Sequence, residues 1–178
     1  MLKHWNKLLN TDCKVVDIGS HTVYPIFKVG SSSLFAVADK VYANKQINAC
    51  EHIDIMIRDP EDRFISGINE YSRQNQLDVE QTWELVEQGK LVDRHFAPQY
   101  VWLFHLFKFY KGNITLRPFR YIKKITDKHM TSYNRKKQKN KPVALLKPFV
   151  EIDYRLIEKY NKTFKLGELI REYKNALS

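Results

Sequence analysis

The segment from Pro25 to Leu34 limits the possible folds of this chain more than any other, because it predicts a strand that turns directly into a helix. It reads Pro-Ile-Phe-Lys-Val-Gly-Ser-Ser-Ser-Leu. At such a junction the N–H groups of the turn and of the first helical residues point at one place, where a phosphate or sulfate oxygen can bind. Lys28 adds a positive charge there. In a Walker A loop the Lys follows the second Gly, whereas here it precedes Gly30, which argues against an ordinary ATPase or kinase.

Alternating strand and helix patterns predict an α/β fold. The apolar run His52–Ile57 is typical of a buried strand, and Asp59 and Pro60 after it are typical of a helix start. Apolar residues spaced from Leu34 to Val41 predict a helix after the Ser-containing turn. The predicted strands are 14–18, 22–29, His52–Ile57 and 113–117, and the predicted helices are about 31–41, 60–71, 78–89, 98–112, 121–125, 149–160 and Leu166–Leu177. This order indicates a three-layer protein with a central parallel sheet, formed by one domain over residues 1–178.

Composition favours a globular protein without a membrane span. Of the residues, 43% are hydrophobic and 13% are aromatic, while no apolar stretch approaches bilayer length. The first residues lack the long apolar core of a secretory signal, so a cytoplasmic location is expected, with the Golgi lumen an option only for a trimmed chain. Cys13 and Cys50 lack the spacing of a metal site or a redox pair, and no metal is expected.

Positive charge is concentrated in one third of the chain. Residues 108–147 contain thirteen Lys or Arg and a single acid, Asp127, although the net charge of the whole chain is only +10. Such a patch favours an anionic partner, either nucleic acid or another phosphorylated, sulfated or carboxylated molecule. A solvated basic face is the alternative for a scattered lysine excess.

Two predicted strands end in sequences that suit anions. Lys28 and the Gly-Ser turn follow the strand at 22–29, while Arg58 and Ser66 follow His52–Ile57. Because parallel strands present their carboxyl ends at one edge, both groups are expected on the same edge of the sheet. Arg58 offers a forked guanidinium suited to a phosphate, although an ion pair with a neighbouring acid is its alternative role.

These segments resemble motifs of one enzyme family. Lys-Val-Gly-Ser-Ser-Ser at 28–33 resembles the 5′-phosphosulfate loop of sulfotransferases that use 3′-phosphoadenosine 5′-phosphosulfate (PAPS), and Arg-Asp-Pro-Glu-Asp-Arg-Phe-Ile-Ser at 58–66 resembles their 3′-phosphate motif. Asp-Arg-His-Phe-Ala-Pro-Gln at 93–99 is similar to a His-x-x-Pro-Gln segment of Golgi carbohydrate sulfotransferases. Ser-Tyr-Asn-Arg-Lys at 132–136 and Glu-Ile-Asp-Tyr-Arg-Leu at 151–156 resemble their C-terminal pattern. Four motifs in order, over about residues 22–160, imply the P-loop-like sulfotransferase fold.

The resemblance also implies roles for individual residues. The 5′ phosphosulfate is assigned to a loop of five residues and the 3′ phosphate to two, with a C-terminal loop closing over the cofactor. These residues are Lys28, Gly30, Ser31, Ser32 and Ser33; Arg58 and Ser66; and Asn134, Arg135 and Lys136. Arg63 has two open roles, either in the 3′-phosphate site or in an ion pair with a neighbouring acid.

The implied reaction is in-line sulfuryl transfer from PAPS to an acceptor hydroxyl, with 3′-phosphoadenosine 5′-phosphate as product. Lys28 suits stabilisation of the departing phosphate, and a general base must take the hydroxyl proton. His95 is the candidate base, with a structural role in its loop as the alternative. The other acids and histidines are weaker candidates by position: Asp39, His52, His105 and His129.

The acceptor is expected to be a glycan or another hydroxyl compound, and an anionic one suits the basic third. Arg117, Arg120, Lys123 and Lys124 are predicted to form an acceptor groove. Two other classes remain open. A nucleic-acid-binding protein accounts for the charge but not for the paired motifs, and an atypical P-loop nucleotide kinase lacks its Gly-Lys-Ser/Thr. The oligomeric state is open.

Overall fold

A six-stranded mixed sheet lies at the centre of the computed structural model, which describes residues 5, 10–126 and 143–177. The strands are β1 (Lys14–Asp17), β2 (Thr22–Tyr24), β3 (Lys40–Ala43), β4 (His52–Ile57), β5 (Asn113–Pro118) and β6 (Thr163–Lys165). Their order across the sheet is β3-β1-β2-β4-β5-β6. Strands β2, β4 and β5 are parallel, whereas β1 pairs antiparallel with β2 and β3, and β6 pairs antiparallel with β5. The α/β prediction is confirmed, but the sheet is only partly parallel.

The described helices pack in groups around this sheet. They are α1 (Ser31–Ala36), α2 (Pro60–Asn75), α3 (Val79–Glu87), α4 (Gln99–Phe107), α5 (Ile122–Thr126), α6 (Val143–Ile157) and α7 (Leu166–Leu177), with 3₁₀ turns at Asn44–Ala49 and Phe119–Tyr121. Helix α2 packs against α3 and α6, α4 packs against α6 and α7, and α1 packs against α5. Residues 53–57 of β4 are all buried, so both faces of the sheet are covered. No helix in the described part of the chain is long and apolar enough to span a bilayer.

The helix predicted from residue 31 through Val41 is wrong in its second half. Helix α1 ends at Ala36, and residues 40–43 form the edge strand β3, with Asp17 opposite Lys40 and Lys14 opposite Ala43. The sequence Lys-Val-Tyr-Ala contains Val and Tyr, which favour strands, and pairing with β1 satisfies its backbone groups. Sheet pairing therefore overrides an apolar spacing that also fits a helix.

Two other differences from the sequence predictions concern strands β2 and β6. The strand predicted at 22–29 keeps only Thr22–Tyr24 in the sheet, because Pro25 has no N–H to continue the ladder. A sixth strand, Thr163–Lys165, was not predicted, since three residues between two helices give little periodicity. It pairs with β5, where Thr115 Oγ1 lies 2.8 Å from Thr163 Oγ1. The shorter β2 leaves residues 25–30 outside the sheet as the loop before α1.

Candidate functional site

The two polar sequences that follow β2 and β4 lie in direct contact. These strands are parallel neighbours, with Tyr24 opposite Ile55, so the chain leaves both at the same edge of the sheet. The Ser loop, residues 28–33, follows β2, and Arg58 follows β4. Arg58 Nη1 donates a hydrogen bond to the carbonyl oxygen of Lys28 at 3.1 Å. The structure therefore brings together the two groups that the sequence assigned to separate anions.

Left-handed backbone conformations shape the Ser loop. Lys28 has φ = 63° and Gly30, which caps α1, has φ = 72°. This region is easy for Gly but costs a residue with a Cβ about 1–2 kcal/mol, so Lys28 is held there by its surroundings. Ser31 is buried, Ser33 is half-buried and Ser32 is exposed. Because α1 has only six residues, its dipole is small, and charge at this loop comes mainly from the neighbouring side chains.

An acidic partner on α2 orients Lys28. Lys28 Nζ lies 3.7 Å from Glu70 Oε2, and Glu70 also accepts hydrogen bonds from Arg73 and Gln74. The hydrogen bond from Arg73, which outweighs the opposing effect of burial, lowers the pKa of Glu70 to about 2. Burial lowers the pKa of Lys28, with Glu70 raising it and the positive charge of Arg58 lowering it further. Ser66 lies one turn before Glu70 on the same face of α2.

Gln99 fixes Arg58 through the backbone. Its side chain is fully buried: Oε1 accepts from Arg58 N at 2.9 Å, and Nε2 donates to Arg58 O at 2.9 Å. The Arg58 guanidinium lies over the ring of Phe119, with Cζ 5.3 Å from the centroid. Both the main chain and the side chain of Arg58 are therefore held at the end of β4.

Asp153 of helix α6 caps the start of α4. Pro98 at the cap position has no side-chain acceptor, and instead Asp153 accepts from Gln99 N at 2.5 Å and from Tyr100 N at 2.8 Å. Burial raises the pKa of Asp153 to about 6, although both N–H groups and the charge of Arg63 oppose this rise. Contacts thus run from Asp153 through Gln99 and Arg58 to the Ser loop. Sequence reasoning missed these positioning roles for Gln99 and Asp153, although both lie in its motifs.

Arg63 is buried, and its charge interacts with that of the buried Asp153 of α6. Arg63 is 1% exposed, and its guanidinium donates to the carbonyl oxygen of Phe27 at 3.0 Å and to that of Ala97. Burial lowers its pKa to about 10, while the negative charge of Asp153 opposes this change. Arg63 therefore ties the residue before Lys28 to the segment before α4, and does not lie at the surface beside Arg58.

His95 lies beside the Ser loop as part of an Asp–His pair. Its ring stacks on Phe27, with centroids 5.6 Å apart and planes at 14°. Nδ1 lies 2.6 Å from Asp93 Oδ1, and because a carboxylate accepts, Nδ1 carries the hydrogen, which makes Nε2 the acceptor atom of the neutral ring. Burial raises the pKa of Asp93, but hydrogen bonds from the side chain and N–H of His95 outweigh burial and hold it below its usual value. This arrangement suits a base that accepts a proton at Nε2.

Helix α2 approaches the His95 segment closely at a glycine. A Cβ added at Gly67 would lie 2.3 Å from the carbonyl oxygen of His95, a backbone atom. We expect Gly67→Ala to lower the free energy of unfolding by about 1–3 kcal/mol and to displace His95 from Phe27. Urea unfolding and the NMR shifts of the His95 ring measure the two effects.

Gly167→Ala is the matched control, since its Cβ would meet only the ring of Phe107, at 3.3 Å. A Gly67→Ala protein as stable as wild type, with unchanged His95 shifts, would contradict the close packing of α2 on this segment.

Two clefts open at this edge of the sheet, one beside Arg58 at the ends of β4 and β5 and one beside Phe27 at the end of β2. The β4–β5 cleft has a volume of about 370 Å³, and the β1–β2 cleft a volume of about 350 Å³. The first is lined by Ile57, Arg58, Asp59, Asp62, Pro118, Phe119, Arg120 and Tyr160. The second is lined by Thr11, Asp12, Lys14, Tyr24, Pro25, Phe27, Phe35, Arg94, Trp102 and His105. Both are large enough for parts of a small-molecule ligand.

Several other candidates lie elsewhere. His52 begins β4, at the opposite edge of the sheet, as predicted. His105 is buried and bonded to Tyr24, while Asp39 is exposed beyond the end of α1. Arg117 pairs with the buried carboxylate of Asp54 at 3.0 Å, so its charge is compensated within the sheet.

Part of the predicted site falls in residues 127–142, which are outside the described residues. It comprises His129, Asn134, Arg135 and Lys136. Of the predicted acceptor groove, Arg120 lines the β4–β5 cleft, whereas Lys123 and Lys124 are exposed on α5. Within the described ranges, no three His, Cys, Asp or Glu side chains are grouped to hold a metal ion.

Comparisons with known proteins give no match to this chain. It matches no family model, no curated protein and no solved structure. What the site binds therefore has to follow from its own residues and geometry.

Proposed function

We propose that this chain is a sulfotransferase that moves the sulfuryl group of PAPS to an acceptor hydroxyl, with a carbohydrate as the favoured acceptor class. The observation that carries the proposal is the contact between Arg58 and the Ser loop at the ends of two parallel strands. One anion-binding loop suits any phosphate or sulfate. Two neighbouring cationic groups suit a nucleotide that carries charge at both its 5′ and 3′ positions.

The chemistry of the donor groups fits this cofactor. Lys28 and the N–H and hydroxyl groups of Ser31 to Ser33 would hold the 5′ phosphosulfate, and Arg58 with Ser66 would hold the 3′ phosphate. The β4–β5 cleft lies next to Arg58 and has an aromatic wall in Phe119, which suits a flat base. Glu70 would compete with the bound anion for Lys28, so binding would loosen their ion pair.

The catalytic roles follow from two side chains. PAPS supplies an activated sulfuryl group whose leaving group is a phosphate oxygen. The ammonium of Lys28 would stabilise negative charge on that departing oxygen, and a fixed charge in a partly buried site acts more strongly than in water. His95 Nε2 would take the proton of the attacking hydroxyl, with Asp93 holding the ring in the required tautomer.

Nucleotide binding tests the assignment of the 3′ phosphate. We expect 3′-phosphoadenosine 5′-phosphate to bind about 10–100-fold more tightly than 5′-AMP, because charge-assisted hydrogen bonds to the 3′ group contribute about 1.5–3 kcal/mol. Ser66→Ala should lower this ratio about fivefold without changing the affinity for 5′-AMP. Isothermal titration calorimetry with both nucleotides measures it.

Ser20→Ala is the matched control, since Ser20 is exposed in the turn between β1 and β2. Equal affinity of the wild-type protein for the two nucleotides would refute the proposed function. Binding of oligonucleotides with a steep salt dependence, together with no binding of PAPS, would favour a nucleic-acid-binding protein instead.

A further inference from the structure

We propose that the β1–β2 cleft is the acceptor site, and that it takes a hydroxyl compound with an apolar ring face and a carboxylate or similar anionic group. This proposal rests on the sulfotransferase function proposed above and names the substrate class of that site. Four observations support it: the position of the cleft, its aromatic lining, its uncharged floor and the balance of charge at its rim.

The cleft adjoins the Ser loop and shares no lining residue with the β4–β5 cleft beside Arg58. Phe27 in its wall directly precedes Lys28, and Phe35 belongs to α1, which begins within the loop. In the sheet order β1-β2-β4-β5, one cleft lies at the ends of β1 and β2 and the other at the ends of β4 and β5. In-line transfer places the attacking and leaving oxygens on opposite sides of the transferred group. A nucleotide bound on the Arg58 side leaves the β1–β2 cleft for the acceptor.

Aromatic side chains form much of this cleft. Phe27 and Trp102 meet edge to face, with centroids 5.2 Å apart. Phe35 is 39% exposed and contributes to the same cleft. Rings of this kind offer broad apolar contact and bind flat ligands with little loss of side-chain entropy. The lining therefore suits a ring with one apolar face.

The floor of the cleft is uncharged. His105 is buried, and its Nδ1 and Nε2 lie 2.9 Å from Tyr24 Oη and 3.0 Å from the carbonyl oxygen of Thr11. Since that carbonyl can only accept, Nε2 carries the hydrogen and Nδ1 accepts from Tyr24. Burial also lowers the pKa of His105, which favours the neutral ring. Charge in the cleft is therefore set by the rim.

The rim is positive. Among the described residues that line the cleft, Lys14 and Arg94 are cationic and Asp12 is acidic. Asp12 already accepts a hydrogen bond from Asn44 Nδ2 at 2.9 Å. The Arg94 guanidinium lies over Phe27, with Cζ 4.9 Å from the ring centroid, so a cation and an aromatic wall occur side by side. An anionic group on a ring bound at Phe27 would lie close to Arg94.

Two aryl glycosides that differ only in charge test this proposal. We expect 4-nitrophenyl β-D-glucuronide to bind the wild-type protein about tenfold more tightly than 4-nitrophenyl β-D-glucoside, as measured by calorimetry without PAPS. Arg94→Gln should remove this preference and leave glucoside binding within about twofold. Phe35→Ala should weaken both glycosides about fivefold. Neither variant should change the affinity for 3′-phosphoadenosine 5′-phosphate.

Arg171→Gln, an exposed arginine on α7, is the matched control. Wild-type protein that binds the two glycosides equally, binds neither, or keeps its preference in Arg94→Gln overturns the proposal. The proposed function fails separately, if the bisphosphorylated nucleotide does not bind better than 5′-AMP. Glucuronide binding that depends on Arg94 without nucleotide binding would support the anionic-ring site and refute its role as an acceptor site for sulfate.

Discussion

Lys28→Ala is expected to lower the rate of sulfate transfer by about 10²–10³-fold, the loss typical when one fixed donor to a developing negative charge is removed. Lys28 Nζ is the cationic group that the left-handed backbone and Glu70 hold beside the Ser loop. The loss should appear in kcat more than in the affinity for 3′-phosphoadenosine 5′-phosphate, since Arg58 and Ser66 remain. Single-turnover transfer of ³⁵S from labelled PAPS, with calorimetry of the product nucleotide, separates the two effects.

The fold should survive this change. Ala meets the same backbone cost as Lys at φ = 63°, and a partly exposed ion pair with Glu70 contributes at most about 1 kcal/mol. Lys45→Ala, an exposed lysine in the 3₁₀ turn Asn44–Ala49, is the matched control for charge and should keep full activity. A folded Lys28→Ala protein that transfers sulfate at the wild-type rate would disprove the role assigned to this ammonium.

Asp153→Ala is expected to lower the free energy of unfolding by about 3–5 kcal/mol. The carboxylate is 1% exposed, and its loss leaves the N–H groups of Gln99 and Tyr100 without their acceptor and removes the negative charge near the buried Arg63. Small domains have only about 5–15 kcal/mol of stability, so this loss is large. Urea unfolding followed by tryptophan fluorescence measures it, and Glu151→Ala, exposed on the same helix, is the matched control.

Asp153→Asn tests the same contacts with a side chain of nearly the same size as Asp. Burial raises the pKa of Asp153 from 3.8 to about 6, so between these values the folded protein keeps a proton that the unfolded chain releases. The stabilising effect of this protonation is complete below about pH 4, declines as the pH rises towards 6, and is lost above it. Asn does not titrate. The stability of wild type relative to Asp153→Asn should therefore decrease between pH 4 and pH 6 and change little above pH 7. Parallel stability curves for the two proteins would contradict a raised pKa at Asp153.

Much of the fold could be predicted because its signals are local. Asp59 and Pro60 mark the start of α2 in the sequence, and in the structure Asp59 accepts from the N–H of Asp62 at 2.9 Å. The segment 37–43 shows the limit of such reasoning. Its apolar spacing fits a helix, but its partner β1 lies more than twenty residues away, and no local pattern reveals that pairing.

The candidate site also has one contact that the sequence predicts and others that it does not. Contact between Arg58 and Lys28 follows from two strand ends at one edge, a rule that needs only the order of the elements. The link between Asp153 and Gln99 joins residues 54 positions apart, and it depends on how α6 packs. The burial of Arg63 could not be predicted from the sequence, for an energetic reason. A guanidinium is rarely buried, because burial is costly unless carbonyl groups accept its hydrogens, and those of Phe27 and Ala97 come from distant segments.

Arg63 in α2 and Arg58 just before this helix both bind main-chain oxygens. Arg63 donates to the carbonyl oxygen of Phe27, and Arg58 donates to that of Lys28. Neither contact uses a side chain of the loop itself. The two arginines therefore hold the loop whatever side chains it has, provided that its backbone can adopt the same conformation. Substitutions at Ser31, Ser32 and Ser33 can change what is bound while the loop stays in place. This gives protein engineers a defined position at which to exchange one anion specificity for another.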